Sequence, residues 1–344
     1  MHKLTVDGRG TVGQTEVPIP DLAPHGVLVK TAFSLISPGT ETRGILRRRK
    51  DPGDEASAHH PGYASAGVVQ AAGSEMSELR PGDRVGVYGS PFFYGGHAEY
   101  SAPTRHYAVR LPENVSLEEG AFAALGAITL HGFRQARLQL GETVSVIGLG
   151  LLGQLICQFA RAAGVRVFAS DLIPERVELA RSLGCEHAVC APGESLTDLV
   201  TKQTHGIGTD AVIIAASGRS DEPVKEAMQL VRDKGRVVVV GGVPCTAERH
   251  GPFFSKEPDF VCSRAGGAGR YDPVYERDGI DYPMAFVRWT VGRNLSCFID
   301  LVADGQVKVK PLVTDVFPFN EAPSAYEKIL SDKATTMGVL LRYD

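Results

Sequence analysis

The stretch Val144-Ser-Val-Ile-Gly148-Leu-Gly150-Leu-Leu-Gly153 constrains the fold more than any other part of this 344-residue chain. An apolar, β-branched run passes through glycines spaced G-x-G-x-x-G and straight into a helix-like segment. A buried strand, a tight turn and a helix therefore have to follow one another without an intervening loop. Gly148 permits the turn, Gly150 lets a pyrophosphate approach the backbone, and Gly153 lets the helix pack closely on the strand. The helix start at Leu151 and Leu152 offers unpaired N–H groups and a positive dipole end to phosphates. Glycines in this spacing also serve ordinary turns, so the context matters. Asp171 stands 18 residues beyond Gly153, just after the next apolar run, where a carboxylate can accept hydrogen bonds from ribose hydroxyls and repel a 2′-phosphate. That favours NAD over NADP, although Arg176, five residues on, could soften the discrimination if it swung towards the ribose.

The surrounding pattern is that of a parallel sheet covered on both faces. Strands are expected at residues 143–147, 166–169, 211–215 and 236–240, with helices at 151–163 and 174–183. Ser217 with Gly218, and Gly241 with Gly242, follow two of these strands at the edge where open α/β sheets bind ligands. They read either as ribose and nicotinamide contacts or as plain turn residues. Residues 26–120 are different. Short β-type runs at 27–33, 66–69 and 84–88 are punctuated by Gly and Pro, the mark of a β-rich domain. A helix near 295–303 precedes a return to β character after residue 307, with one more helix near 322–330. The pattern thus changes from β-rich to alternating strands and helices near residue 118 and returns to β character after residue 307.

Composition excludes several classes of function. The formal net charge of -4 leaves no basic footprint for nucleic acid. Arg47-Arg48-Arg49-Lys50 reads as a solvated loop or helix end, with phosphate binding as the minor alternative. No apolar run approaches the roughly 18 residues of a membrane span, and the N-terminus lacks the apolar core of a signal peptide, so a cytoplasmic protein is expected. All six cysteines lie after residue 150 and none forms a C-x-x-C pair, which suggests reduced, mostly buried thiols.

Several further pieces carry a resemblance: Gly26-Val-Leu-Val-Lys30, Pro61-Gly62-Tyr-Ala-Ser-Ala-Gly67, Leu79-Arg-Pro-Gly82-Asp83-Arg-Val85, Gly95-Gly-His-Ala-Glu99-Tyr100 and Leu111-Pro-Glu-Asn-Val115-Ser. Together with the Gly148 fingerprint, they make the chain resemble the medium-chain dehydrogenase/reductase superfamily over nearly its whole length. The resemblance implies a GroES-like, β-rich catalytic domain made of 1–127 and 291–344, with a Rossmann-type doubly wound parallel sheet at 128–290 inserted into it, and an NAD(H)-dependent oxidoreductase forming homodimers or homotetramers. A narrower likeness rests on Ser34-Leu-Ile-Ser-Pro-Gly-Thr-Glu41, Gly269-Arg270-Tyr271-Asp272 and Asp281-Tyr-Pro. It points to a zinc-independent branch, similar to bacteriochlorophyllide dehydrogenases and to the partner half of inositol-dehydrogenase-fused oxidoreductases. Substrates there tend towards cyclitols, sugars and specialised metabolites. No nucleic acid or membrane partner is expected.

Zinc members of the superfamily place a Cys in a Cys-Gly-Thr-Asp run, a His in a Gly-His-Glu run and a third ligand before the Rossmann domain. Here the corresponding residues read Pro38-Gly39-Thr40-Glu41, Gly62-Tyr63-Ala64 and Ala123-Ala-Leu-Gly126, so the usual ligand set cannot be assembled and no metal is expected. Protein hydroxyls then have to manage the proton that accompanies hydride transfer. Tyr63 takes the place of the lost histidine and reads as a proton donor or as a packing ring. Thr40 stands where the family keeps a relay hydroxyl and reads as a relay or a cap. Glu41 replaces the usual acid and reads as structural. His60 is a weaker candidate for terminal proton acceptor. The resemblance places Thr129 against the nicotinamide, and Arg270 and Tyr271 on a Gly-rich loop, where Arg270 either clamps a polyhydroxylated or anionic substrate or anchors the loop. Two alternatives remain open: an NAD(P)H-dependent quinone or enone reductase, and a non-catalytic dinucleotide-binding sensor or structural protein.

Overall fold

The computed structural model describes residues 1–53, 58–90, 96–191 and 193–344. Of the motif pieces above, Gly95 lies outside them. The chain divides into two compact units, one made of residues 1–127, 266–305 and 309–344, the other of residues 128–265 and 306–308.

The second unit is built on a six-stranded, all-parallel sheet. Its strands run in the spatial order His187–Cys190, Arg166–Asp171, Thr143–Ile147, Thr209–Ile214, Val231–Val239, Asp259–Cys262. The order reverses at Thr143–Ile147, the strand that feeds the glycine turn, and this reversal is where an open α/β sheet leaves a crevice for a ligand. Alternate residues of one strand enter different cores. Ala211 and Ile213 pack with Val144, Val146, Ile156 and Ala160, whereas Val212 and Ile214 pack with Phe168, Val224 and Leu230. A strand buried on both faces has no polar phase, which is why its sequence reads as a continuous apolar run. Each buried Val, Ile, Leu or Phe among them contributes about 1.5–3 kcal/mol of burial free energy.

The first unit contains a seven-stranded sheet. Val313–Pro318 pairs parallel with Gly338–Arg342, which pairs antiparallel with Val27–Leu35; Ala64–Ala72, Arg84–Tyr88 and Ala108–Arg110 follow antiparallel, and the short Tyr100–Ser101 adds to Val27–Leu35. Both ends of the chain thus enter one sheet. A separate hairpin-like pair, His2–Val6 with Val12–Glu16, shares a core with Ile36, Ile45, Tyr326, Val339 and Leu341. The Val27–Leu35 strand passes through Ile36 and Ser37 into the helix Pro38–Lys50. Proline occupies its first turn, where a missing N–H costs nothing. The basic tetrad Arg47 to Lys50 forms its last turn, where cations complement the negative end of the helix dipole.

One expected boundary moves. Residues 266–290, assigned from the sequence to the nucleotide-binding domain, belong with the first unit. The physical reason is the buried Glu276, whose carboxylate accepts from Ser90 at 2.7 Å and from the hydroxyl of Tyr107, while its carbonyl accepts from Thr104 at 2.6 Å. His25 reaches the Arg277 carbonyl at 2.6 Å. These ties span more than 160 residues of sequence and leave no periodic signal.

Candidate active site

At the Gly148 turn the three glycines do different work. Gly148 has φ +95°, and a Cβ there would lie 2.7 Å from the Ala216 nitrogen. A Cβ on Gly153 would fall 1.9 Å from the Gly148 carbonyl oxygen, so only glycine lets this helix start so close to the strand. Gly150 is another case. A Cβ there would meet only Arg176 Nη1, at 3.9 Å, so packing within the protein does not demand glycine at the helix cap. The space above the backbone is open, which is what a phosphate cradle requires. The helix Leu151–Ala162 begins at that cap with no side chain satisfying its first N–H groups.

Asp171 ends its strand with its side chain only 9% exposed. One carboxylate oxygen accepts the Leu149 N–H at 2.6 Å, the other the Ile173 N–H at 3.0 Å. Arg176 Nη1 stands 3.9 Å from the first of these, so the pair expected to compete over the ribose is in contact. The sequence reading missed Gln154. Buried on the first turn of the helix, it donates to the carbonyls of Leu149 at 3.1 Å and Arg176 at 2.8 Å, clamping the glycine turn to the helix that follows Asp171. An exposed-looking Gln one residue past a glycine motif gives no sequence signal of this. Ser217 accepts from the Gly242 N–H at 3.1 Å, and Gly218 donates to the Gly242 carbonyl at 3.0 Å, so these two strand-end turns are stitched together. A Cβ on Gly241 would collide with the Ala216 carbonyl at 1.9 Å. Thr129 is fully buried.

Within the first unit, the Tyr63 hydroxyl donates to Ser37 Oγ at 2.7 Å, and the Thr40 side chain acts on the same phenol to lower its pKa. Burial is the main force pushing the Tyr63 pKa up, to about 12, with the Glu41 charge adding to it and the Ser37 and Thr40 hydrogen bonds opposing it. The phenol therefore holds its proton at neutral pH. Thr40 lies exposed on the first turn of Pro38–Lys50, so it can hand protons to solvent. Ser37, which caps the same helix, was not singled out from the sequence. Nothing in a Ser-Pro-Gly-Thr run distinguishes a cap from a hydrogen-bond acceptor for a tyrosine 26 residues away.

His60 goes elsewhere. Its Nδ1 faces the Leu4 carbonyl at 3.1 Å and the Thr5 hydroxyl at 3.4 Å, which sets it against the first strand and not on the Tyr63 hydroxyl chain. Burial lowers its pKa.

The matching family model is described as "Zinc-binding dehydrogenase" and covers residues 152–277. A probable D-xylulose reductase A of Aspergillus terreus is 30% identical over 92% of this chain and 91% of its own length. The chain belongs to the medium-chain dehydrogenase/reductase family. Among solved structures, alcohol dehydrogenase TADH from Thermus sp. ATN1 superposes with a TM-score of 0.78 at 25% identity, covering all of both chains. An Escherichia coli oxidoreductase/dehydrogenase of unknown specificity gives a TM-score of 0.83 at 20% identity, over 100% of this chain and 99% of its own. This member of the family is thus an oxidoreductase of the polyol and alcohol dehydrogenase type, with the dinucleotide-binding sheet and the β-rich unit that the fold shows.

Zinc in this family needs three protein ligands around an open position. Among the described residues, no group of three or more His, Cys, Asp or Glu could hold a metal ion. The chain has no cysteine before Cys157, and both ring nitrogens of His97 are taken, Nε2 by Glu41 at 3.0 Å and Nδ1 by Ser34 at 2.7 Å. Among the described residues these groups do not make up the three-ligand donor set of a catalytic zinc.

Arg270 is held inward. Its Nη1 donates to the Gly89 carbonyl at 2.9 Å and to Glu276 at 3.1 Å, and its guanidinium lies 4.6 Å from the Tyr88 ring centre and 4.8 Å from that of Tyr271. Tyr88 in turn packs 5.9 Å from Tyr63. Of the two readings of Arg270, these contacts match the loop anchor. Tyr271 sits at φ +66°, a conformation costly for a non-glycine residue, and its N–H donates to Glu276 at 2.9 Å. The ring is 46% exposed.

Proposed function

We propose that this protein is a zinc-independent, NAD(H)-dependent oxidoreductase that interconverts a polar secondary alcohol and its ketone, the substrate being a cyclic polyol, sugar or comparable specialised metabolite. The observation that carries the reading is the Tyr63 hydroxyl, half-buried, protonated and hydrogen-bonded to Ser37 Oγ at 2.7 Å. A neutral phenol is a donor by default, so it is suited to give a proton to a carbonyl oxygen as negative charge develops there.

The dinucleotide, when bound, supplies the hydride to the carbonyl carbon or takes it from the alcohol carbon. Gly148, Gly150 and Gly153, with the N–H groups of Leu151 and Leu152, would hold its pyrophosphate, and Asp171 would receive the ribose hydroxyls, with Arg176 beside that carboxylate; Ser217, Gly241, Gly242 and Thr129 would serve the ribose and nicotinamide. In reduction the carbon–oxygen π bond breaks, the carbon gains hydride, and the oxygen takes the Tyr63 proton. Thr40 then passes a proton from solvent to the phenolate. Oxidation runs the same path backwards. Tyr271, exposed beside the anchored Arg270, provides a surface on which an apolar ring face of a substrate can rest. A homo-oligomeric, cytoplasmic enzyme of the zinc-free branch is the assembly we expect.

The test is steady-state reduction of a panel of cyclic and acyclic ketoses by protein freed of metal with a chelator, with NADH and NADPH compared. The reading expects turnover unaffected by the chelator and a preference for NADH of roughly tenfold, about 1.4 kcal/mol. Tight NADH binding without consumption across the panel would replace it with a sensor role.

A further inference from the structure

Behind Tyr63 lies a closed set of buried polar groups that proton transfer as described does not use. Glu41 accepts the Ser37 backbone N–H through one oxygen at 2.7 Å. Its other oxygen meets His97 Nε2 at 3.0 Å and the Tyr326 hydroxyl. His97 Nδ1 lies 2.7 Å from Ser34 Oγ, which lies 3.0 Å from the Tyr343 hydroxyl. The side chains of His97 and Glu41 are 0% and 4% exposed. Three donors converge on Glu41, which suits an ionised carboxylate, since that form only accepts. His97 then carries its proton on Nε2, and a run from Tyr343 O–H to Ser34 to His97 Nδ1 leaves every atom satisfied with a neutral ring; the tautomer follows from this count of partners.

A buried ionic group of this kind is costly to assemble and is weak evidence for stability. What it does achieve is positional. Ser37 is a helix cap whose hydroxyl bonds no backbone group of its own helix, so its backbone is fixed by Glu41 and its Oγ is left to face Tyr63. The residue before Tyr63 is tied to the same set, because Gly62, at φ +94°, abuts the His97 ring so closely that a Cβ would lie 2.6 Å from it.

We propose that Glu41 and His97 are positioning residues that hold Ser37, and through Ser37 the Tyr63 hydroxyl, in line for proton transfer. The inference rests on the reading of Tyr63 as the proton donor. The pair joins segments at residues 34–41, 62–63, 97, 326 and 343 of one unit, so the alignment of a single hydroxyl depends on both ends of the chain.

The experiment is a double-mutant cycle with Ser37→Ala and Glu41→Gln in the full-length protein, read by ketone-reduction kinetics and NADH affinity, with Tyr63→Phe as reference. Ser37→Ala keeps the N–H that binds Glu41 and so spares the fold. It should lower kcat about tenfold or more while KM and NADH affinity stay within about twofold, since misplacing a reacting group costs rate and not binding. Glu41→Gln should lower kcat similarly, and the double variant should be little worse than either single one, because both act on the same hydroxyl. If Glu41→Gln does not fold, Ser37→Ala together with Tyr326→Phe, which removes one donor to Glu41, carries the test. Unchanged kcat in Ser37→Ala overturns the inference, as does full additivity in the cycle. Unchanged kcat in Tyr63→Phe instead overturns the reading on which it rests.

Discussion

The Gly148 turn and the Tyr63 hydroxyl group are two sites built on opposite plans. The first is contiguous: six residues from Gly148 to Gly153 do most of the work with their backbone, and side chains such as Asp171 and Gln154 brace it. The second is dispersed: Ser37, Glu41, Tyr63, His97, Tyr326 and Tyr343 come from five stretches of chain and act through side-chain oxygens and nitrogens. A backbone site tolerates change outside its glycines and fails at once within them. A side-chain site is reached by many substitutions, each of which takes away a graded part of the activity.

The sharpest way to break this contrast is at Gly153. Gly153→Ala puts a Cβ against the Gly148 carbonyl, and overpacking of this kind costs about 1–3 kcal/mol or more; thermal denaturation should show the loss, and fluorescence titration should find no NADH binding. Next comes Tyr63→Phe, which deletes the proton donor and leaves the ring. General acid catalysis is worth about 10²–10⁴-fold, so kcat for ketone reduction should fall within that range while NADH affinity holds. Gly150→Ala sharpens the comparison because its Cβ would meet only Arg176 Nη1, at an ordinary contact distance of 3.9 Å. The melting temperature should be unchanged and NADH affinity should drop about tenfold or more, near 1.4 kcal/mol. An unaltered affinity would mean that the open space over Gly150 is not a phosphate cradle. The smallest effect is expected for Thr40→Val, a loss of roughly threefold in kcat that exogenous buffer should partly restore, since solvent protons also reach the site. The pH dependence carries its own sign. Tyr63 is protonated below its raised pKa of about 12, so reduction should show no alkaline loss assignable to this group until pH approaches that value.

The contrast also explains what could be read from the amino-acid sequence. The Thr143–Ile147 strand and the Leu151–Ala162 helix follow from period and glycine spacing, because each is determined by residues next to one another. Asp171 and Arg176 were identifiable for the same reason, and their mutual contact at 3.9 Å explains why they had to be weighed together. Tyr63 and Thr40 could be named from the resemblance, but the Ser37 hydroxyl that accepts from Tyr63 could not. Glu41 read as structural from the sequence, and the partners His97 and Tyr326, which give it a place behind Ser37, stand 56 and 285 residues away. His60 was misplaced because an imidazole near neutrality suggests proton traffic, whereas the fold gives its Nδ1 to the Leu4 carbonyl. The edge at 265/266 was missed because residues 266–290 are anchored by one buried acid, Glu276, and not by a periodic apolar face.

The central claim is that protein hydroxyls, without a bound cation, handle the proton. It is tested most directly by measuring zinc content and NADH-dependent ketone reduction on the same chelator-treated preparation, wild type beside Tyr63→Phe. The account predicts substoichiometric zinc with full wild-type turnover and a collapse of kcat in the variant. Activity that disappears with the metal, returns on adding Zn²⁺ and is indifferent to Tyr63 would contradict it.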